Sequence, residues 1–149
     1  MVQNESESGT VSRPISIIMD DREPRDLMMQ AMASCGCFAV EVQHLPVGDY
    51  LIDDALLIER KTLADLVRSI VDGRLFQQAL RLAEARYPAA LILEGSARDL
   101  QECGMRWEAI QGALVTVTLF MGLPILRSRC PEDTARDCCE RNDCARRYH

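Results

Sequence analysis

Apolar and polar positions fall into blocks along this chain, and the period changes from block to block. Ile15 to Met19 is a short apolar run ending at Asp20, which predicts a buried first strand. Pro24 stands where a first helical turn tolerates proline. The helix it opens should run to about Ser34, with Gly36, between Cys35 and Cys37, as a left-handed cap. From Phe38 to Leu45 the chain alternates, Phe38, Val40 and Val42 against Ala39, Glu41 and Gln43, and a second strand is expected. Pro46 leads into Gly48-Asp49-Tyr50 and Leu51-Ile52, then the turn-forming pair Asp53-Asp54, then Ala55-Leu56-Leu57-Ile58 and Glu59-Arg60-Lys61. That order predicts a hairpin with a tight acidic turn.

Thr62 opens a helix, and Thr62-x-x-Asp65 resembles a capping box with Asp in place of Glu. Leu63, Leu66, Val67 and Ile70 form its apolar face, and Gly73 ends it. A second helix is expected over about Leu75 to Tyr87, with Leu75, Ala79, Leu82 and Ala83 inward. Ala89 to Leu93 is continuously apolar, as a strand buried on both faces would be. Ser96 to Cys103 reads as a loop or short helix, and Trp107 to Met121 as a longer helix, apolar around its whole girth. Such a helix is central in its domain or covered by a partner. Pro124 to Arg127 is a last strand, and Pro131 opens a polar, cysteine-rich helix. The order of elements gives an α/β fold, a mixed sheet with helices on both faces. Residues 1–13 read as a disordered polar lead-in, and 14–149 as one domain.

Composition adds three constraints. No apolar run reaches the roughly 18 residues of a membrane-spanning helix, and no secretory signal pattern opens the chain. With no sign of export, the seven cysteines are expected to be reduced thiols and the protein intracellular, in the cytoplasm or a eukaryotic nucleus. The net charge of −6 argues against nucleic acid, yet Arg60, Lys61, Arg68, Arg74, Arg81 and Arg86 follow in quick succession. A local basic patch of that kind can hold DNA with modest, salt-sensitive affinity.

The chemistry concentrates in the hairpin. Side chains alternate along a strand, so Glu59 and Lys61 share a face, and Asp49 comes near them when the hairpin pairs. Gathering two carboxylates and an ammonium at the edge of an apolar sheet is costly, and a divalent cation removes the cost. Oxygen ligands of this type suit Mg²⁺ or Mn²⁺.

Gly48-Asp49, Glu59-Arg60-Lys61 and Asp65 match the GDXnERKXXXD signature, and the chain resembles the XPF-type structure-specific endonucleases of the restriction-endonuclease-like superfamily. Met19-Asp20-Asp21-Arg22-Glu23 is similar to the family's V-D-x-R-E block, and Asp72-Gly73-Arg74-Leu75-Phe76-Gln77-Gln78 to its (N/D)GRLxxQ block. The resemblance spans roughly Ile15 to Arg147. It implies a restriction-endonuclease-like fold and metal-dependent hydrolysis of DNA phosphodiesters at flaps, forks or other branched structures in repair or recombination. The products would carry 5′-phosphate and 3′-hydroxyl ends.

On the same resemblance Asp49 and Glu59 hold the metal with the backbone carbonyl of Arg60, and Asp20 lines the site directly or through water. Lys61 orients or helps deprotonate the attacking water and offsets charge at phosphorus. Asp65 belongs to the signature, although helix capping accounts for it without catalysis. Arg22, Glu23, Arg60, Arg74 and Gln78 are candidate substrate contacts, with a solvated surface the alternative for Arg74 and Gln78. Arg60, on the opposite strand face from Glu59, also suits structural pairing. The family works as dimers, homomeric or heteromeric, for which residues 107–121 are the candidate surface. Its usual tandem helix-hairpin-helix domain is not seen here, so DNA grip would fall to this domain, a partner or further sequence. The rival reading is a non-catalytic DNA-binding or scaffolding subunit. Cys130, Cys138, Cys139, Cys144 and His149 have no standard zinc spacing, and His44 reads as a strand residue.

Overall fold

A computed structural model describes residues 13–147, with side chains described as far as Glu140. The expected lead-in, Arg13 apart, lies outside the described residues. Six strands form one mixed sheet in the order β2-β1-β3-β4-β5-β6: β1 Ile15–Asp20, β2 Phe38–Gln43, β3 Tyr50–Ile52, β4 Leu56–Thr62, β5 Ala89–Glu94 and β6 Ile125–Ser128. β1 runs parallel to β2 and antiparallel to β3, β3 is antiparallel to β4, and β4, β5 and β6 are parallel. The parallel pairs are joined through helices, as such crossovers require: α1 Arg25–Cys35 between β1 and β2, α2 Leu63–Val71 and α3 Leu75–Ala83 between β4 and β5, α4 Ala97–Glu102 and α5 Trp107–Val115 between β5 and β6. α6, Pro131–Arg147, closes the described chain.

The pleat divides the core in two. Leu51, Leu57, Leu91 and Leu93 pack with Leu66, Leu75, Leu82, Ile110 and Val117 under α2, α3 and α5. Ile17, Met19, Tyr50, Ile52, Ile58 and Ile92 pack with Met28, Met32, Ala135 and Cys138 under α1 and α6. The hairpin turn has both Asp53 and Asp54 in the left-handed region, at φ 48° and 53°, with the Ala55 N–H donating to Ile52 O at 2.9 Å. Aspartate tolerates that conformation better than most residues.

Four local expectations change. β2 stops at Gln43 rather than Leu45, because the Leu45 N–H donates to Asp20 Oδ1 instead of to a strand neighbour. That leaves His44 just beyond the strand. α3 stops at Ala83 rather than Tyr87, whose hydroxyl is held by Asp54 across the sheet end. Residues 107–121 are not one α-helix: α5 passes at Val115 into a π-helical turn, Thr116–Phe120. Thr116 and Thr118 donate their hydroxyls back to Gly112 O and Leu114 O, competing for the carbonyls of the regular ladder. The capping box at Thr62 is half formed. Thr62 Oγ1 accepts from the Asp65 N–H, but the Asp65 carboxylate turns outward to Arg68. Among the described residues no helix is long and apolar enough to cross a membrane.

Candidate active site

The site is assembled at the ends of β1, β3 and β4, on the face covered by α2 and α3. Asp20 is the last residue of β1 and is buried. Its Oδ1 accepts from the Leu45 N–H at 2.8 Å and its Oδ2 from Arg22 Nε at 2.7 Å, while Arg22 also donates to Leu45 O at 2.9 Å. Burial works against ionisation of Asp20, but the Arg22 guanidinium and the Leu45 N–H outweigh it and hold the carboxyl below its ordinary value.

Gly48 precedes Asp49 for a steric reason. Its φ is +78°, and a Cβ there would lie 2.6 Å from Leu57 Cδ1. Asp49 is then pinned between two strands: its N–H donates to Ile58 O and its carbonyl accepts from the Asp20 N–H, each at 2.8 Å. Asp49 Oδ2 accepts from the Arg60 N–H at 2.8 Å. Glu59 follows one place before Arg60 and faces the same cleft as Asp49, an open cavity of about 300 Å³ lined also by Asp20, Arg22, Gly48, Gln78 and Arg81. Burial, and then the charge of Glu59, push the Asp49 carboxyl up to about 8, and burial raises Glu59. Two hard carboxylates crowded in this way, each destabilised as an anion, are a donor set that a divalent cation fits.

Lys61 is buried behind Glu59. Its Nζ donates to Ser69 Oγ at 3.1 Å and to Gln78 Oε1 at 3.0 Å, and Ser69 Oγ in turn donates to Asp65 O at 2.7 Å. Glu59 and Gln78 border both the cleft and the small void beside Lys61, so the ammonium lies against the cleft wall rather than in the open.

Arg60 projects to the opposite face. Its Nε and one terminal nitrogen donate to both oxygens of Glu94 at 2.8 and 2.6 Å, and the other terminal nitrogen is 3.6 Å from Glu23. Thr134 of α6 donates to Glu94 at 2.7 Å and is itself in hydrogen-bond contact with Ser128. The Tyr50 hydroxyl donates to Glu23. Burial raises Glu23, and for Arg60 the Glu94 partner overcomes burial and keeps the guanidinium charged.

The geometry thus sorts the predicted residues. Asp20, Asp49, Glu59 and Gln78 meet at the cleft, with Arg22 at its rim and Lys61 behind. The side chains of Arg60 and Glu23 are not there. They lie in an ion-paired network on the other face of the sheet, Arg60 against Glu94 and Glu23. The Asp65 carboxylate is also outside, paired with Arg68 at 3.3 Å, and Arg74 turns to Asp72 at 2.9 Å. Two residues are not singled out individually from the sequence: Arg81, which stands only in the basic run, and Glu94. Arg81, three after Gln78 on α3, is exposed on the cleft and has no ion pair among the described residues. A basic residue at i+3 from a predicted contact was the available signal. Glu94 ends β5, one place beyond the apolar run, and an acid closing a buried strand was its signal. Nearby, Asp20, Asp21 and His44 bring ligand atoms within 4.8 Å of one another, a second acidic group beside the cleft.

Comparisons with known proteins agree with this architecture. The chain matches the ERCC4 domain over residues 19–139. It is 37% identical over 122 residues to the 3′-flap repair endonuclease Xpf of Saccharolobus solfataricus, a match covering 81% of this chain and 52% of that protein. It is 32% identical over 111 residues to the crossover junction endonuclease MUS81 of Oryza sativa, covering 65% of this chain and 16% of that one. The fold is similar to that of XPF from Aeropyrum pernix in complex with DNA, at a TM-score of 0.73 and 33% identity over 86% of this chain and 62% of that chain. The chain therefore spans about half the length of the first relative. On the family match over most of its length, and on the sheet and site just described, this chain belongs to the ERCC4-domain family.

Proposed function

We propose that the protein is a metal-dependent endonuclease that hydrolyses phosphodiester bonds in branched DNA, such as flaps and forks. The observation that carries this reading is the convergence of Asp20, Asp49 and Glu59 on one open cleft, with Lys61 tethered against its wall. Asp49 and Glu59, with the backbone carbonyl of Arg60, are the residues that would hold Mg²⁺ or Mn²⁺, and Asp20 would act through water. The ion, when bound, supplies Lewis-acid activation of water and phosphate. The protein's own part is positional. Arg22 fixes Asp20, the Arg60 N–H fixes Asp49, and Gln78 and Ser69 hold the Lys61 ammonium, which would offset negative charge developing at phosphorus.

Arg22 and Arg81 flank this acidic cleft and are suited to the phosphates on either side of the scissile bond. Trp107, Val115, Leu119 and Phe120 are exposed apolar residues of α5 and the turn after it, suited to a second nuclease protomer, identical or related. On this reading the protein acts inside the cell.

The test is cleavage of flap, fork, nicked and single-stranded DNA with Mg²⁺, comparing wild type with Lys61→Ala. Metal-dependent scission by wild type, lost in the variant, is the expected result. If both are equally inert across all substrates, the chain is a non-catalytic subunit and the hydrolase reading fails.

A further inference from the structure

We propose that Cys37 and Cys139 form a site of reversible thiol oxidation, closing to an intramolecular disulfide that ties α6 to the edge of the sheet, with a low-molecular-weight disulfide as oxidant. The site uses neither the cleft nor the metal-binding residues. Cys37 lies between the cap of α1 and the start of β2, and Cys139 lies on α6, 102 positions later in the chain. The Cys37 thiol donates to Cys139 Sγ at 3.0 Å. A disulfide bond is about 2.0 Å long, so closure needs a shift of only about 1 Å.

Both ends are held by packing rather than by loose loops. The Cys37 carbonyl accepts from the Ile15 N–H at 2.8 Å, which anchors it to β1. On α6, Ala135 and Cys138 are buried in the core beneath α1, and Cys139 packs at the border of that core. Two sulfurs are therefore presented to each other at 3.0 Å by packed elements. Both thiols are only partly buried, so a small oxidant reaches them, whereas Cys138 is shut in.

The chemistry is thiol–disulfide exchange. Cys139, as thiolate, attacks one sulfur of the oxidant RSSR, forms a mixed disulfide and expels RS⁻. Cys37 then loses its proton to solvent, attacks the Cys139 sulfur, and expels the second RS⁻. Two protein thiols are oxidised to one disulfide and RSSR is reduced to two RSH. Burial and the neighbouring Cys139 push the Cys37 thiol up to about 12, so little Cys37 thiolate is present at neutral pH and Cys37 serves as the resolving thiol. Closing so long a loop restricts the unfolded chain strongly. It also fixes the helix whose Thr134 holds Glu94 behind Arg60.

The experiment is to incubate the full chain with oxidised glutathione at pH 8, block remaining thiols by alkylation, and map peptides by mass spectrometry. A Cys37–Cys139 cross-link within one chain is expected, reversed by dithiothreitol, with a Tm higher by on the order of 10 °C. Cys37→Ser and Cys139→Ser should each lose the cross-link and the Tm gain, and Cys35→Ser should keep both. Equal alkylation of Cys37 and Cys139 before and after oxidation would overturn the proposal. So would a cross-link that joins another pair or two chains.

Discussion

The backbone N–H of Arg60 donates to Asp49 Oδ2 at 2.8 Å, while the side chain of the same residue grips Glu94 on the other face of the sheet. One residue, lying between Glu59 and Lys61, thus aligns the aspartate across the hairpin and anchors the strand from behind. The strict order Glu-Arg-Lys acquires a physical meaning: outer positions toward the cleft, middle position toward the core.

Lys61 is the residue whose loss should be felt most in the chemical step. Lys61→Ala removes the one ammonium held against the cleft wall, and kcat on a flap substrate should fall by about 10²-fold or more. Ser69→Ala and Gln78→Ala each remove one of its two hydrogen-bond partners, and should cost roughly 3- to 10-fold, below the loss typical of a direct transition-state donor. Single-turnover rates at saturating Mg²⁺ separate these cases.

Asp49→Asn should stabilise the metal-free protein while abolishing metal-dependent cleavage. The folded-state carboxyl is raised from 3.8 to about 8 by burial and by Glu59, so its ionisation opposes folding. Stability contributed by the protonated form is therefore full below the unfolded value near 3.8 and is lost as pH rises through the window to about 8. In EDTA at pH 8.5 the variant should melt several degrees above wild type, since each kcal/mol is worth about 2–4 °C in a domain of this size. The gap should close at pH 4, and at pH 8.5 saturating Mg²⁺ should narrow it by raising only the wild type. Thermal melts across pH, with and without metal, provide the check.

Glu94 should behave as a structural residue with a catalytic echo. Its carboxylate is buried and takes two hydrogen bonds from Arg60 and one from Thr134. Glu94→Ala leaves a buried guanidinium without that partner and should cost about 3–5 kcal/mol of stability. Thr134→Val should cost about 1–2 kcal/mol, one hydrogen bond to a charged acceptor. Urea titrations measure both losses, and the affinity for Mg²⁺ should weaken in the Glu94 variant as Arg60 shifts.

What the sequence revealed and what it hid follow from range. The hairpin, the first strand and the Thr62 helix start are written in neighbouring residues, where period-two apolar runs, an Asp-Asp turn and a capping threonine act locally. The shared face of Glu59 and Lys61 needs only strand geometry. The Arg60–Glu94 pair joins residues 34 apart across adjacent parallel strands, and no local period encodes it. The direction taken by Asp65 was decided by competition: Arg68, one turn on, outbid the capping contact. The break at Val115 was equally hidden, because apolar residues on every side gave no phase from which to detect the wider turn.

Among the described residues Leu119 and Phe120 are the most exposed large apolar side chains, at 76% and 82% of their surface. Replacing an exposed apolar side chain changes monomer stability by less than about 0.5 kcal/mol. Leu119→Glu with Phe120→Glu should therefore leave Tm nearly unchanged while shifting the mass measured by sedimentation toward one chain. A wild type already monomeric at tens of micromolar would remove this surface from consideration as a self-association site.

Arg81 and Arg74 offer a discrimination within one region of the chain. Both are basic residues around α3, but Arg81 faces the cleft without an ion-pair partner among the described residues, and Arg74 is engaged by Asp72 outside it. A residue that meets a DNA phosphate contributes about one unit to the salt dependence of binding. Arg81→Ala should weaken fork binding several-fold in Ca²⁺ and reduce the slope of log K against log salt by about 0.9. Arg74→Ala should change neither by more than a fraction of that. The same measurement applied to Arg22→Ala carries an added consequence. This side chain also fixes Asp20, so its loss should lower kcat as well as affinity, whereas Arg81→Ala should raise KM with kcat nearly intact.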